Sequence, residues 1–269
     1  MLWAGSADVY YHNRPRMAAE WLTEYGKGRP WRAEIAGRTG AGVQMLVQAD
    51  AFKPEYGLAG GQSLVDKISS GKYTYVVLEA PTASLTGADG EAMRRALEVC
   101  AKAAREAGGE PVYFESGFSE SDPGRAQLLE SARANDVRLL LPCAGAWQQV
   151  RSVQAEIQLH DAIDKARPGP LGHYLNLCCT FAVLAGRHPK ALPLEYLVWV
   201  PLTDAAIAQA DRKLAGAPTR DPYLLALPDF LKRRTILAEP YTIDKATART
   251  LQNTAWDVWR ETQKALKGA

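Results

Sequence analysis

Strand-like and helix-like segments alternate along most of this 269-residue chain, and this alternation constrains the fold more than any other feature. The strongest strand signal, residues 73–78, is β-branched and aromatic, and the clearest helical pattern, residues 90–107, ends at two glycines. Strands that are joined through helices form parallel sheets with right-handed crossovers. The pattern therefore predicts an α/β fold, a three-layer α/β/α sandwich around a five-stranded parallel sheet. The predicted strands are residues 2–4, 32–36, 73–78, 111–115 and 137–142.

The last third of the chain is predicted to be helical. A chain of this length fits one large α/β domain or two small ones, and we expect a single domain over residues 1–269. The stretch 216–240 is rich in Pro and Arg, which indicates a helical insertion at about 203–240 that packs on this domain. The helical patterns of this third are residues 170–186, 203–216, 223–232 and 244–264.

Composition excludes several classes of function. The formal net charge is +2 and charges of both signs are mixed along the chain, so we expect no nucleic-acid partner. No apolar run approaches the roughly 20 residues of a membrane span, and we expect no membrane insertion. Strand-like sequence starts at Leu2, so an upstream export signal can have been removed, and the cellular location stays open. The oligomeric state is open as well.

The four cysteines, Cys100, Cys143, Cys178 and Cys179, do not have the spacing of a metal site or a disulfide framework. Three of them lie in or at the ends of apolar helical or strand-like runs, where a free cysteine packs as a small hydrophobic residue. We therefore expect buried, reduced thiols, and the sequence predicts neither a metal nor a cofactor.

Residues 2–13 read Leu-Trp-Ala-Gly-Ser-Ala-Asp-Val-Tyr-Tyr-His-Asn, which is a strand, a glycine turn and the start of a helix. This block resembles the first block of SGNH (GDSL-type) hydrolases, in a subgroup that reads roughly Leu-Phe-Ile-Gly-Asn-Ser-Phe-Thr-Tyr-Tyr-Asn-Asn. Five further segments are similar to later blocks of that subgroup and follow in the same order, so that the resemblance covers about residues 1–200 and 243–260. They are residues 72–79, 142–147, 164–175, 186–189 and 251–256. The resemblance implies a flavodoxin-like strand order, 2-1-3-4-5, and descent from an esterase or carbohydrate esterase.

In that family a Ser at the end of the first strand attacks an acyl carbonyl, and a His three residues after an Asp removes its proton. This sequence departs from the pattern at both positions, because the nucleophile position is Ala7 and the base position is Arg167. Ala7 has no oxygen, and an arginine stays protonated and cannot accept a proton. The orienting carboxylate is kept at Asp164.

The family also holds the developing oxyanion with backbone N–H groups and with a side-chain amide from the third strand. A backbone donor is kept at Gly42, or at Gly40 in the alternative register, whereas the amide position is Glu79. A carboxylate at that position would repel an oxyanion. We expect Arg167 to form a salt bridge with Asp164 or Glu79, or to bind an anion, at the carboxyl edge of the sheet.

Other residues are candidates for catalysis or ligand binding at the same edge of the sheet. Ser6 is a candidate for a displaced nucleophile, His12 and His160 for replacement bases, and Asp8 for an acid or an ion-pair partner. Trp147 follows the fifth strand, where a sugar could stack on its ring. Each also has a structural interpretation, as turn, capping or core residues.

Three hypotheses follow from the sequence. The preferred one is a non-hydrolytic protein that binds a small-molecule, carbohydrate-like or anionic ligand in the old cleft. The second is an enzyme with rebuilt chemistry, in which Glu79 or Asp8 and His12 or His160 act as acid and base on a carbohydrate-type substrate. The third is an acyl-ester hydrolase in which Ser6 acts or whose Ser at position 7 was mutated. Whether the protein is an enzyme is left open.

Overall fold

The computed structural model describes residues 1–26, 29–37, 40–48, 61–87, 89–117, 124–161, 167–199 and 238–268. Five strands form one sheet in the order β2-β1-β3-β4-β5. Their bounds are Leu2–Gly5 for β1, Glu34–Gly37 for β2, Tyr75–Pro81 for β3, Glu110–Ser116 for β4 and Leu139–Leu141 for β5. All four neighbouring pairs are parallel, so the predicted sheet, its order and its direction are confirmed.

Both faces of the sheet are buried, which explains why its strands are continuous apolar runs rather than alternating ones. In β3, Val77 belongs to one apolar core, whereas Val76 and Leu78 belong to the core on the opposite face. The two cores are completed by helices that lie on the two sides of the sheet. The α/β architecture with helices on both faces is therefore confirmed.

The helices cover the sheet through stripes of apolar residues. The helix Gly90–Glu106 packs on the face of the sheet that carries Val76 and Leu78. Its buried residues Met93, Leu97, Cys100 and Ala104 are spaced by three and four residues, as in an amphipathic helix. The helices are α1 Ala7–Tyr10, α2 Arg14–Tyr25, α3 Val43–Leu46, α4 Leu64–Ser70, α5 Gly90–Glu106, α6 Arg125–Ala134, α7 Cys143–Val153, α8 Pro170–Ala185 and α9 Lys245–Leu266. Short 3₁₀ turns occupy Tyr11–Asn13, Thr82–Leu85 and Pro189–Ala191.

The C-terminal third contains strands that the sequence analysis did not predict. Strands β6 (Glu195–Trp199) and β7 (Ala238–Thr242) form a two-stranded antiparallel sheet. In β6, Tyr196 and Val198 are buried, whereas Leu197 between them is 53% exposed. This period of two is the signature of a half-buried strand. The predicted helices 170–186 and 244–264 are confirmed, whereas the description of the whole last third as helical is wrong because of these two strands. The predicted insertion at about 203–240 and its two helices, 203–216 and 223–232, lie almost wholly outside the described residues.

The cysteines have the predicted environment. Cys100, Cys143, Cys178 and Cys179 are all free thiols and all buried. Burial raises the pKa of the Cys100 thiol to about 12, so it stays protonated at neutral pH. These residues act as core side chains, as expected. Within the part of the chain that the structure describes, no group of three or more His, Cys, Asp or Glu side chains is arranged to hold a metal ion.

Candidate functional site

The turn after β1 lies at the carboxyl edge of the sheet, directly beside the end of β3. Ala4 pairs with Leu78 in the parallel register. Gly5 and Glu79, the next residues of the two strands, therefore lie beside each other. Gly5 has a φ of 150°, and a Cβ atom at this position would collide with the Glu79 side chain and lie 2.7 Å from Cγ2 of Val9. A glycine is therefore required here, because the turn and the carboxylate are in direct contact.

Glu79 binds the turn from inside the domain. Its carboxylate accepts hydrogen bonds from the backbone N–H of Ser6, from the Ser6 hydroxyl at 2.9 Å and from the Ser116 hydroxyl at 2.9 Å. The side chain is only 1% exposed. Burial, and then the negative charge of Asp8, raise the pKa of Glu79 to about 7, although the three hydrogen bonds oppose the shift. Glu79 therefore fixes the turn and faces the interior rather than solvent.

Arg167 and Asp8 form an ion pair at the outer side of the same turn. The guanidinium Nη1 lies 2.7 Å from Oδ1 of Asp8, and the two side chains are 24% and 21% exposed. The guanidinium carbon also lies 6.0 Å from the centre of the Tyr11 ring. Arg167 thus forms a salt bridge with a carboxylate at the carboxyl edge, but the partner is Asp8, and the hydrogen bonds of Glu79 go to the turn and to Ser116. Asp164, the other predicted partner, lies outside the described residues.

Two backbone hydrogen bonds hold the loop that carries Arg167. The N–H of Asp161 donates to the carbonyl of Arg167 at 2.9 Å, and the N–H of Gly169 donates to the carbonyl of Leu159 at 2.8 Å. Between these two hydrogen bonds, His160 and Pro168 form an isolated antiparallel β-bridge. The chain on both sides of residues 162–166 is therefore paired, which fixes the position of Arg167.

His12 connects this loop to the first helices. Its Nε2 lies 2.9 Å from the carbonyl oxygen of Pro168, and because a carbonyl only accepts, Nε2 carries the proton. Burial lowers the pKa of His12 to about 4, so the ring is neutral at physiological pH. His12 and Asn13 both have left-handed backbone conformations, with φ of 55° and 54°, which is uncommon for residues other than glycine. His12 is 1% exposed. In this position it supports the loop and is buried away from solvent.

The other predicted site residues lie in different surroundings. Trp147 belongs to α7, is fully buried, and donates from Nε1 to Oδ1 of Asn176 at 2.9 Å. Its ring is therefore not available for sugar stacking, and the expected stacking role is corrected to a core role. His160 packs against that ring at a centroid distance of 4.8 Å, and its Nε2 lies 3.4 Å from Nη1 of Arg151.

The two candidate oxyanion glycines follow β2. Gly40 is exposed and has a left-handed φ of 74° with open space around its Cα. Gly42 is half-buried and precedes the single turn α3, where its carbonyl accepts from the N–H of Met45. Both glycines therefore lie in the loop that follows the strand next to β1, as the resemblance implies.

The sequence analysis missed a fully buried guanidinium beside the site, that of Arg14. Its Cζ lies 4.9 Å from the centre of the Phe114 ring, and none of its three nitrogens has a hydrogen-bond partner in the described part of the chain. Burial lowers the pKa of Arg14, whereas Cys143, Asp8 and Glu79 nearby raise it. One signal was available, because a cation in the first turn of a helix is unfavourable with the helix dipole and needs a reason.

A second buried carboxylate, also missed, lies one residue before Ser116. Glu115 is fully buried, forms an ion pair with Arg125 and accepts from the N–H of Gly145 at 3.1 Å. Arg125 also donates to the hydroxyl of Thr262 at 3.0 Å. This pair joins β4 to α6, α7 and α9, and it is a structural link.

Comparison with models of known protein families, with curated proteins and with solved structures found no match for this chain. No helix in the part of the chain that the structure describes is both long enough and apolar enough to cross a membrane.

Proposed function

We propose that this protein is a non-hydrolytic member of the SGNH hydrolase type and that it binds a carbohydrate-like or anionic ligand at the carboxyl edge of its sheet. The observation that carries the proposal is the ion pair between Arg167 and Asp8. Asp8 directly follows the position at which such a hydrolase carries its nucleophile, and Arg167 occupies the base position. The ion pair therefore connects these two positions.

The placement of the remaining groups favours binding over hydrolysis. Position 7 is an alanine, and Arg167 cannot take a proton from a nucleophile. Glu79 and His12, two of the groups that rebuilt acid–base chemistry would use, are each 1% exposed and are engaged with the turn and with Pro168. Asp8 and Arg167, in contrast, keep about a fifth to a quarter of their side chains exposed, so a ligand can reach both charges.

A carbohydrate with an acidic group suits this edge. Arg167 can pair with a carboxylate or phosphate in place of Asp8, and the carboxylate of Asp8 can then accept from sugar hydroxyls. Such an exchange replaces one charge-assisted contact by another, so the charges stay compensated when the ligand binds.

A second candidate function is acyl transfer through Ser6, and one contact favours it. The Ser6 hydroxyl donates to Glu79 at 2.9 Å, and a carboxylate whose pKa is raised to about 7 is a stronger base than an ordinary one. In this reaction the Ser6 oxygen would attack an ester carbonyl while its proton passes to Glu79. The C–O bond to the alcohol would then break, the leaving alkoxide would take that proton from Glu79, and water would hydrolyse the acyl-Ser6 ester. Labelling of Ser6 by a fluorophosphonate would favour this candidate over the binding protein.

Isothermal titration calorimetry tests the proposed function. We expect glucuronate to bind more tightly than glucose to the wild-type protein, and Arg167→Ala to weaken glucuronate binding by about tenfold or more, the scale of one charge-assisted hydrogen bond. The matched control is Arg138→Ala, which removes an exposed ion-paired arginine from the opposite edge of the sheet. Equal affinities of wild type and Arg167→Ala for every ligand tested would contradict the proposal.

A further inference from the structure

Arg14 lies just inside the candidate site. It is the first residue of α2, directly after the two left-handed residues His12 and Asn13, and its side chain is fully buried. It stacks on Phe114, which pairs with Glu79 in the register of β3 and β4. Because residues paired in a parallel sheet point to the same face, Arg14 and the Glu79 carboxylate occupy the same side of the sheet near its carboxyl edge.

The guanidinium of Arg14 carries a full set of unused donors. An arginine has five N–H groups, and no nitrogen of this side chain makes a hydrogen bond within the described residues. Buried donors without partners are costly, and a buried charge without a partner is more costly still. The fold keeps this cation in the interior although no described neighbour accepts from its donors, so a bound anion would satisfy them.

The charges around Arg14 favour an anionic partner. Asp8 is already paired with Arg167, so that pair is neutral. Glu79, the other acidic group near Arg14, already accepts hydrogen bonds from the N–H of Ser6 and from two hydroxyls. Since burial also favours its protonated form, Glu79 compensates the guanidinium only in part. A positive charge is thus left over inside the site.

We infer that the buried Arg14 guanidinium is the inner subsite for an anionic group, a carboxylate or phosphate, whose oxygens accept its unused N–H donors. The group can belong to a free inorganic anion or to the acidic end of a larger ligand. This inference deepens the proposed function, since it places the acidic group of the ligand between the rim pair and Arg14.

The test uses calorimetry with inorganic phosphate and with glucuronate as probes, at constant ionic strength, on the full chain. Arg14→Met removes the charge but keeps a long apolar side chain, an exchange that buried ion sites often tolerate without loss of stability. We expect Arg14→Met to weaken phosphate binding by about tenfold or more. Arg14→Lys, which keeps the charge but not the planar guanidinium with its five N–H donors, should weaken phosphate binding less. Arg138→Met is the control for non-specific loss of positive charge, and it should bind phosphate as the wild type does.

The outcomes separate this inference from the proposed function. If Arg14→Met binds phosphate as tightly as the wild type, or if the wild type binds neither probe, the inner subsite is refuted. If phosphate binding depends on Arg14 while glucuronate fails to bind the wild type, the subsite stands for free anions and the proposed carbohydrate function fails. If glucuronate binding depends on Arg167 but neither probe depends on Arg14, the proposed function stands and the inner subsite is refuted.

Discussion

Arg167 and Asp8 are 159 residues apart in the chain, yet the guanidinium of one donates to the carboxylate of the other over 2.7 Å. Asp8 lies directly after the turn that follows β1, and Arg167 lies on a loop that backbone hydrogen bonds with Leu159 and Asp161 hold in place. The contact joins the first strand–helix connection to the loop that leads into α8. It gives the carboxyl edge both a positive and a negative group that solvent can reach.

Breaking this pair should have a modest effect on stability. Because both side chains are about three-quarters buried, we expect Arg167→Ala to lower the free energy of unfolding by about 1–2 kcal/mol, between an exposed and a fully buried pair. A double-mutant cycle with Asp8→Asn, followed by urea unfolding, measures the coupling between the two residues. Arg138→Ala, which breaks a pair that is 74% and 65% exposed, should leave the free energy of unfolding nearly unchanged. A coupling energy of zero would show that the pair is not formed in solution.

The contact between Gly5 and Glu79 should make position 5 intolerant of any side chain. In Gly5→Ala the new methyl group would overlap the Glu79 side chain, and the residue would have to keep a φ of 150°. We expect a loss of about 3 kcal/mol or more in the free energy of unfolding. Gly108→Ala is the matched control, because Gly108 has a φ of 78° but open space around it, and only the backbone cost of about 1–2 kcal/mol applies. Equal losses in the two variants would show that the close contact is not what requires the glycine.

Glu79 should make stability depend on pH in a defined direction. Its pKa rises from an ordinary value of 4.5 in the unfolded chain to about 7 in the folded protein, mainly through burial. Between these values the folded state binds more protons than the unfolded state, so the stabilising effect of the proton is complete below the lower pKa and is lost as the pH rises through 7. We expect the contribution of Glu79 to the free energy of unfolding to fall by up to about 3 kcal/mol between about pH 5 and about pH 8.

Glu79→Gln isolates this contribution, because a glutamine does not titrate. The variant should lose most of the fall in stability over that range, whereas Glu91→Gln, which removes an exposed carboxylate from α5, should keep the wild-type profile. Urea unfolding at a series of pH values measures both. If the profiles of wild type and Glu79→Gln are parallel, Glu79 does not change its proton binding on folding.

Ester hydrolysis should stay at background in the wild-type protein. Ala7 cannot form an acyl-enzyme, and Arg167 cannot act as a base. The double change Ala7→Ser with Arg167→His should still not give full esterase activity, because the Glu79 carboxylate remains bound to the turn. Adding Glu79→Gln should raise the rate above that of the double variant. Initial rates with p-nitrophenyl acetate measure all three, and a burst of nitrophenol from the wild type would contradict the prediction.

The sheet could be predicted because each strand and helix shows its own pattern within a short stretch of sequence. Strands that are buried on both faces appear as continuous apolar runs, and the helices between them show the spacing of one buried stripe, as residues 90–107 do. Strand β6 was missed because only five residues alternate there, and Tyr196 and Val198 by themselves do not distinguish a strand from a loop.

The pairing at the site was only partly predictable. The sequence blocks placed Arg167, Asp8 and Glu79 at one edge, but the choice of partner depends on side-chain directions that spacing does not determine. Glu79 points inward to Ser6 and Ser116, which leaves Asp8 as the carboxylate that meets Arg167. Arg14 gave the weakest signal, because its unfavourable place in the first turn of a helix does not by itself indicate that the side chain will be buried.

The interior position of β1, between β2 and β3, has a consequence for the order of synthesis. This strand and Arg14 leave the ribosome well before the groups that cover them, since His12 binds Pro168, 156 residues later in the chain, and α2 packs against α8. Chains are made at about 5–20 residues per second, so the turn after β1 and the Arg14 cation stay in contact with water for roughly 10–30 seconds. The interior of the site is closed only after α8 has been made.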